Sequence, residues 1–497
     1  MQRWLFIPID DRPITSRFPV RIAPLGGIDL LAPPRPLLGR YLTPGEPDAI
    51  ARWALEQAPG CRGAIVSLEM LAYGGLIASR EPAVPLAEAG RRLAMLRELK
   101  RQGLTIYASN VIMRNSITVS GPEQFEHYRL IQEWSAAAAL PDDTRAAELA
   151  RRIPPDLLAR YRGARHRNHQ VNRLAVDLVA EGVIDFLLLL QEDCSPTGLH
   201  RQEQAALQQQ IALRGVQNRA LILPGTDEGA LLLLARAALH QQGGPPPVLV
   251  PIYGHPHTAD LPAPYEDRPL RETVALQVQA AGARLGGNDH LGPDVIRLFV
   301  HTPEEAYGDL ALVPPAPEPA SDGNPKLVAA IGACLAAGCP AAVADVAYAN
   351  GADPRFTEKL LELPDWTGLW GYAAWNTAGN TLGTAVAMAI LRALDGGADA
   401  LRHQQALVER LVDDYGYQSR VRPGLMPLLE AGGWNPWQLG EGHGPVSEAV
   451  ARRLEPLARE IVRSGPARHG YRLARFGARL PWPRIFEVEI DVELVQG

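Results

Sequence analysis

Carboxylates follow several short apolar runs of this sequence, and many come in pairs. Asp10-Asp11-Arg12 follows the run at 4–9, and Glu69 and Tyr73 follow 63–68. Asn110 and Arg114-Asn115 follow 105–109, Glu192-Asp193 follows 185–190, and Asp227-Glu228 follows 220–223. Tyr253 ends the run at 248–252, Asp345 lies in 341–346, and Trp375, Asn376 and Asn380 follow 369–374. One acid after a strand is often a helix cap. Acids gathered at several strand ends repel one another, and folding alone does not select that.

The chemistry such residues support is proton transfer. Two neighbouring carboxyls can have their pKa values driven apart, leaving one as acid and one as base. Glu192 and Asp193 are the preferred catalytic pair, with Asp227 as third candidate. The bland alternative is that one of the pair caps the helix that follows while the other meets an arginine. Arg12 can likewise serve only to neutralise Asp11. Trp375 with Asn376 and Asn380 offers a flat ring and two amides, which suit the face and hydroxyls of a sugar. Asp10, Asp11, Arg12, Glu69, Tyr73, Asn110, Arg114, Glu228, Tyr253, Asp345, Trp375, Asn376 and Asn380 are the expected substrate-binding residues.

No cofactor or metal is assigned. His166-x-x-His169 has no evident third ligand, and His255-x-His257 with Asp260 is the other histidine pair weighed. No Walker or GxGxxG loop follows the first strand, and no GxSxG elbow is present. Cys194 has no obvious activating partner, and its acidic neighbours would raise its pKa. The four cysteines form no CxxC pair, and the first residues carry too short an apolar run for a signal peptide. A reducing cytoplasm is the expected location. Net charge is -6, with both signs mixed along the chain, which argues against a nucleic-acid surface. The longest apolar runs, 186–190 and 231–235, are far short of a membrane span. The expected partner is a small-molecule or oligosaccharide substrate; the oligomeric state is left open.

These residues need a scaffold that delivers loops to one edge. Apolar runs at 4–9, 63–68, 105–109, 185–190, 220–223, 248–252, 295–300, 341–346 and 369–374 alternate with amphipathic segments. The latter lie at 86–101, 124–139, 167–180, 201–214, 230–241, 271–281, 325–337 and 381–394. That alternation predicts βα units around a parallel sheet, with ligands outside the carboxyl ends of the strands. The expected fold is α/β: a parallel β/α barrel (TIM-like) or a related doubly covered parallel sheet over 1–395, with a mixed helical and strand appendage over 396–497. Nine strands exceed a regular barrel, so one is peripheral or the chain forms two lobes. Residues 313–324 read as a Pro-rich loop. If one sheet carries all these loops, Asp10 or Asp11, Glu192 or Asp193 and Asp227 or Glu228 converge on one pocket with Asn376 or Trp375.

Taken together, the strings 8–13, 67–76, 191–193, 225–228 and 371–381, with Phe486-Glu487-Val488 near the end, resemble a bacterial family of chains about as long as this one, known only as a domain of unknown function. That resemblance implies no activity. Where the family pattern has aspartate, this chain has Glu69 and Glu192, which implies that a longer carboxylate is tolerated there. A looser similarity is to hexosaminidase-type barrels, with adjacent acids after the fourth strand and Trp-Asn after the last. It implies a glycoside hydrolase acting on an amino sugar or small glycoconjugate. A metal-dependent hydrolase of amidohydrolase or deacetylase type, using His255 or His257, and a sugar-binding protein without chemistry are the alternatives.

Overall fold

The computed structural model describes residues 1–142, 144–287, 289–290, 292, 295–310 and 321–497. Most of the Pro-rich stretch at 313–324 thus lies outside the described residues. The chain divides into two compact units, 1–20 with 28–233 and 265–267, and 21–27 with 234–264 and 268–497.

The first unit is built on six parallel strands: β1 (Gln2–Ile7), β2 (Ile28–Leu31), β3 (Gly63–Ser67), β4 (Thr105–Ile112), β5 (Phe186–Gln191) and β6 (Ala220–Pro224). Their order is β2-β1-β3-β4-β5-β6. Every residue of β3 and β5 is buried. Successive side chains point to opposite faces, so both faces of these strands are dry, and Phe-Leu-Leu-Leu-Leu is the sequence such a strand requires. Helices Pro47–Gln57, Leu86–Leu93 and Pro155–Ala180 supply Ile50, Leu93 and Val176 to a core shared with Ile7, Val66 and Leu189.

The second unit holds β7 (Val248–Tyr253), β8 (Arg284–Leu285), β9 (Ile296–His301), β11 (Ala341–Asp345) and β13 (Gly371–Ala373), all parallel, ordered β13-β11-β9-β7-β8. The two-residue strands β10 (Gly308–Asp309) and β12 (Tyr348–Ala349) pair beside it. Helix Ala378–Asp395 packs on β13 and β11. Residues 396–497 belong to this unit. They form helix Ala400–Arg410, a π-helical continuation Leu411–Val421, helix His443–Ser464 and an antiparallel hairpin of β14 (Tyr471–Arg479) and β15 (Glu489–Gln496). No helix among the described residues is long and apolar enough to cross a membrane.

The α/β class with parallel sheets is therefore present, but the described strands form no closed barrel. A ring of consecutive βα units pairs each strand with the next. Here β3 pairs with β1 rather than with β2, which leaves β2 at an edge. The second sheet repeats this, with β9 beside β7 and β8 at the edge. Counted within each sheet, both follow the 2-1-3-4-5 order of a doubly wound sheet, the first with a sixth strand added. In that order the chain turns back at one point, between β1 and β3 or between β7 and β9. Ligands of such folds bind at the carboxyl ends of the strands flanking that point.

Candidate functional site

At the carboxyl edge of the first sheet, the turn after β1 places Arg12 between two acids. Its Nη1 and Nη2 donate to the two oxygens of Asp227 at 2.9 and 2.5 Å, and its Nε donates to Asp10 Oδ2 at 2.9 Å. Thr15 Oγ1 donates to Asp10 Oδ1 at 2.6 Å. The fork is a planar match for a carboxylate, and all three charged side chains are buried. Asp11 lies 3.4 Å from Arg35 Nη2. Glu228 turns back to accept from Thr226 N at 2.8 Å. Gly225 permits this turn: its φ is +117°, and a Cβ there would lie 1.8 Å from Glu228 Oε1.

The acids after β5 also meet arginines. Arg80 pairs with Glu192, and Arg114 pairs with Asp193. Arg165 braces the loop after β4, which carries Arg114, by donating to the carbonyls of Met113 and Arg114 at 3.1 and 3.0 Å. Burial alone would raise the Glu192 pKa, but Arg80 and Arg114 outweigh it and hold the carboxyl below its ordinary value. Glu69 is the opposite case. Burial pushes it up to about 7, against the lowering effect of bonds from Val111 N and Ser67 Oγ; Glu192 adds repulsion. Tyr73 lies under the Arg167 guanidinium at 4.1 Å, and burial raises its phenol. Asn110 donates to Asn172 Oδ1 at 2.6 Å. A narrow crevice opens here, lined by Ile9, Ser67, Ser109, Thr226 and Asp227 among others.

The carboxyl edge of the second sheet is more open. A cavity of about 260 Å³ lies there, lined by His255, His301, Thr302, Glu304, Asp322 and Tyr348 among others. His301 ends β9 and is buried. Its Nε2 lies 3.0 Å from Asp353 Oδ2, and its ring stacks on Phe356 at 4.1 Å. Nδ1 is buried without a hydrogen-bond partner among the described residues. Asp353 caps helix Pro354–Leu361, accepting from Arg355 N and Phe356 N, and Ser321 Oγ also donates to it. Burial would raise its pKa, but His301, Ser321 and the cap lower it overall. Asp345, 4.0 Å from His301, is fully buried. Desolvation pushes it up to about 6, moderated by His301. Asp414, on the π-helical turn, accepts from Ala374 N at 2.8 Å and is pushed up to about 7 by burial, with Arg410 opposing. π-helical turns often mark functional positions.

The residues expected from sequence thus divide between two sheets. Asp10, Arg12 and Asp227 meet directly, while Glu192 and Asp193 each meet their own arginine. Tyr253, Asp345, Trp375, Asn376 and Asn380 belong to the second sheet's edge, so the geometric ground for one shared pocket does not hold. Asn376 takes φ +64°, and its backbone carbonyl accepts from Asn350 N at 2.8 Å. The Asn380 amide donates to Thr377 Oγ1 at 3.2 Å and so serves the strand-to-helix turn. The Trp375 ring lies 6.2 Å from that of Phe486. Arg271 stands 5.4 Å over Tyr253, whose phenol burial pushes up to about 12. His257 Nε2 contacts Glu304 O at 2.5 Å, and Asp260 pairs with Arg271. The groups not singled out from sequence are His301, Asp353 and Asp414. The available signal was Asp353-Pro354, a cap followed by the proline that opens a helix. Among the described residues, Cys194, His200 and Asp267 form the one group compact enough to hold an ion.

The profile of a family described as "Protein of unknown function (DUF4127)" matches residues 4–491. The chain belongs to this family. No curated protein and no solved structure matches it. The DUF4127 match runs from β1 into β15, so both sheets and the hairpin are parts of the family's common chain. The looser similarity to hexosaminidase barrels gains no support, since the described strands of this DUF4127 member form no closed barrel.

Proposed function

We propose that the protein is a hydrolase using acid–base catalysis on a small, hydroxyl-rich substrate, an amino-sugar glycoside or related conjugate, bound in the second sheet's cavity. The observation that carries this is His301: one ring nitrogen held by Asp353, the other without a hydrogen-bond partner among the described residues, on a residue lining an open cavity. A carboxylate that fixes one nitrogen leaves the other to take a proton from water or a hydroxyl, and it stabilises the imidazolium that forms. Asp345, whose carboxyl burial pushes up to about 6, lies 4.0 Å from the same Nε2. Glu304, Glu305 and Asp322 line the cavity, and no lysine or arginine is among its described lining. That lining disfavours anions and favours an ammonium or neutral hydroxyls. The volume suits one sugar-sized ring better than a polymer segment.

A panel of nitrophenyl glycosides, including free-amine and acetamido sugars, tests this. His301→Asn is expected to lower kcat by roughly 10²–10⁴-fold on any substrate cleaved. Turnover at the wild-type rate by that variant would remove the reading.

A second reading keeps the chemistry at the first sheet, with Glu69, Glu192, Asp193 and Asp227 as its acids. Its support is the opposed behaviour of Glu69, raised to about 7, and Glu192, held down. Two carboxyls so divided can supply acid and base. Loss of turnover in Glu192→Gln, with His301→Asn still active, would assign the reaction to this edge.

A further inference from the structure

The loop after β5 holds side chains that neither reading uses. Cys194, His200 and Asp267 are buried, and one donor atom from each lies within 4.8 Å of the others. His200, on helix Leu199–Leu213, has a relative exposure of 0%. Both ends of the Asn115 amide lie against its Nδ1, at 2.9 and 3.0 Å, so that nitrogen is satisfied in either tautomer. Its Nε2 has no hydrogen-bond partner among the described residues. Asp267 Oδ2 is 3.9 Å from it, too far for a hydrogen bond and suitable for an atom between them.

The surroundings are those of a built site. Arg201 Nη1 and Gln204 Nε2 donate to Asp267 Oδ2 at 2.9 and 2.7 Å. Ser135 Oγ donates to Asn115 Oδ1 at 3.2 Å. Ligating histidines and carboxylates are held by outer partners of this kind. Thiolate, imidazole and carboxylate are donors to zinc, whereas calcium and magnesium prefer oxygen alone.

We propose that Cys194, His200 and Asp267 bind one zinc-type divalent ion, with water in the fourth position. Binding converts the Cys194 thiol, which now donates to Tyr265 O at 3.3 Å, to a thiolate, and its proton passes to solvent. The lone pair of His200 Nε2 completes the protein's donor set. The ion ties 265–267, a short return of the chain to the first unit, to the loop after β5. This inference stands apart from the reaction proposed at the second sheet.

The test is titration of the full chain, purified metal-free under reducing conditions, with cobalt(II) and then zinc. The expected result is one equivalent of cobalt, a sulfur-to-cobalt charge-transfer band in the near ultraviolet, and displacement by zinc. Cys194→Ser loses the band, and Asn115→Ala weakens binding by roughly 10–100-fold. The triple variant Cys61→Ser, Cys334→Ser, Cys339→Ser keeps Cys194 as its sole thiol and retains the band, which decides the case even if Cys194→Ser does not fold. Absence of stoichiometric binding by the wild-type chain, a band that survives Cys194→Ser, or its loss in the triple variant would overturn the proposal.

Discussion

Removing Arg12 would leave Asp10 and Asp227 with side chains only 7% and 3% exposed and no guanidinium between them. Breaking a buried ion group from one side costs about 3–5 kcal/mol, because the remaining charge stays in a poor solvent. Arg12→Met should therefore lower the unfolding free energy measured by urea titration by that much, and a loss under about 1 kcal/mol would show that water reaches the acids. Glu69 gives a pH signature. Its carboxyl titrates at 4.5 in the absence of perturbation and at about 7 here. Between those values the folded chain keeps a proton that the unfolded chain has released, so this group's contribution falls as pH rises from 4.5 to 7. Glu69→Gln should stabilise the protein at pH 8 by on the order of 3 kcal/mol and leave it unchanged at pH 4. Urea titrations at the two pH values check this, and an equal effect at both would contradict it. At this scale the sequence showed Asp10, Arg12 and Asp227 as strand-end residues, but not that one arginine joins them across 215 positions. His301 lay one residue past an expected strand, and its partner Asp353 is 52 positions away; local pattern carries no such pairing.

Gly371 sets how closely helix Ala378–Asp395 lies on β13. A Cβ at this residue would stand 2.5 Å from Ala385 O and 3.2 Å from Met388 Cβ. The nearer atom belongs to the helix backbone and cannot rotate away, so Gly371→Ala must push the helix off the sheet. Overpacking of this kind costs about 1–3 kcal/mol. Thermal melts check the value, and an unchanged melting temperature would mean the helix shifts freely. Elements like these were legible where one physical rule dominated. The apolar runs at 185–190 and 341–346 became β5 and β11 because strands dry on both faces must be apolar throughout. Ile28–Leu31 was missed because Ile-Asp-Leu-Leu is a short edge strand. Tyr471–Arg479 was missed because none of its residues is buried and arginines interrupt its apolar pattern. The span 86–101 became two helices, Leu86–Leu93 and Met95–Arg101, meeting at Ala94. Strand order was not legible: nothing local in β3 says that it joins β1 and bypasses β2.

The two units are interlaced in sequence, since 21–27 belongs to the second unit and 265–267 to the first. Cutting the chain between 233 and 234 therefore gives fragments that each lack a piece of their own unit. Fragment 1–233 expressed alone should show no cooperative melt, and co-expression with 234–497 should restore one; a sharp melt of the first fragment alone would show the exchanged segments to be dispensable. The same feature bears on synthesis. Gly26 is packed so tightly that a Cβ would lie 2.6 Å from Leu391 and 2.7 Å from Ala238. The ribosome adds about 5–20 residues each second. Gly26 thus leaves the peptidyl-transferase centre roughly 20–70 s before Leu391 is made. For that interval the nascent chain carries an apolar stretch whose final neighbours do not yet exist, a window in which a chaperone that shields it would raise the yield of folded protein.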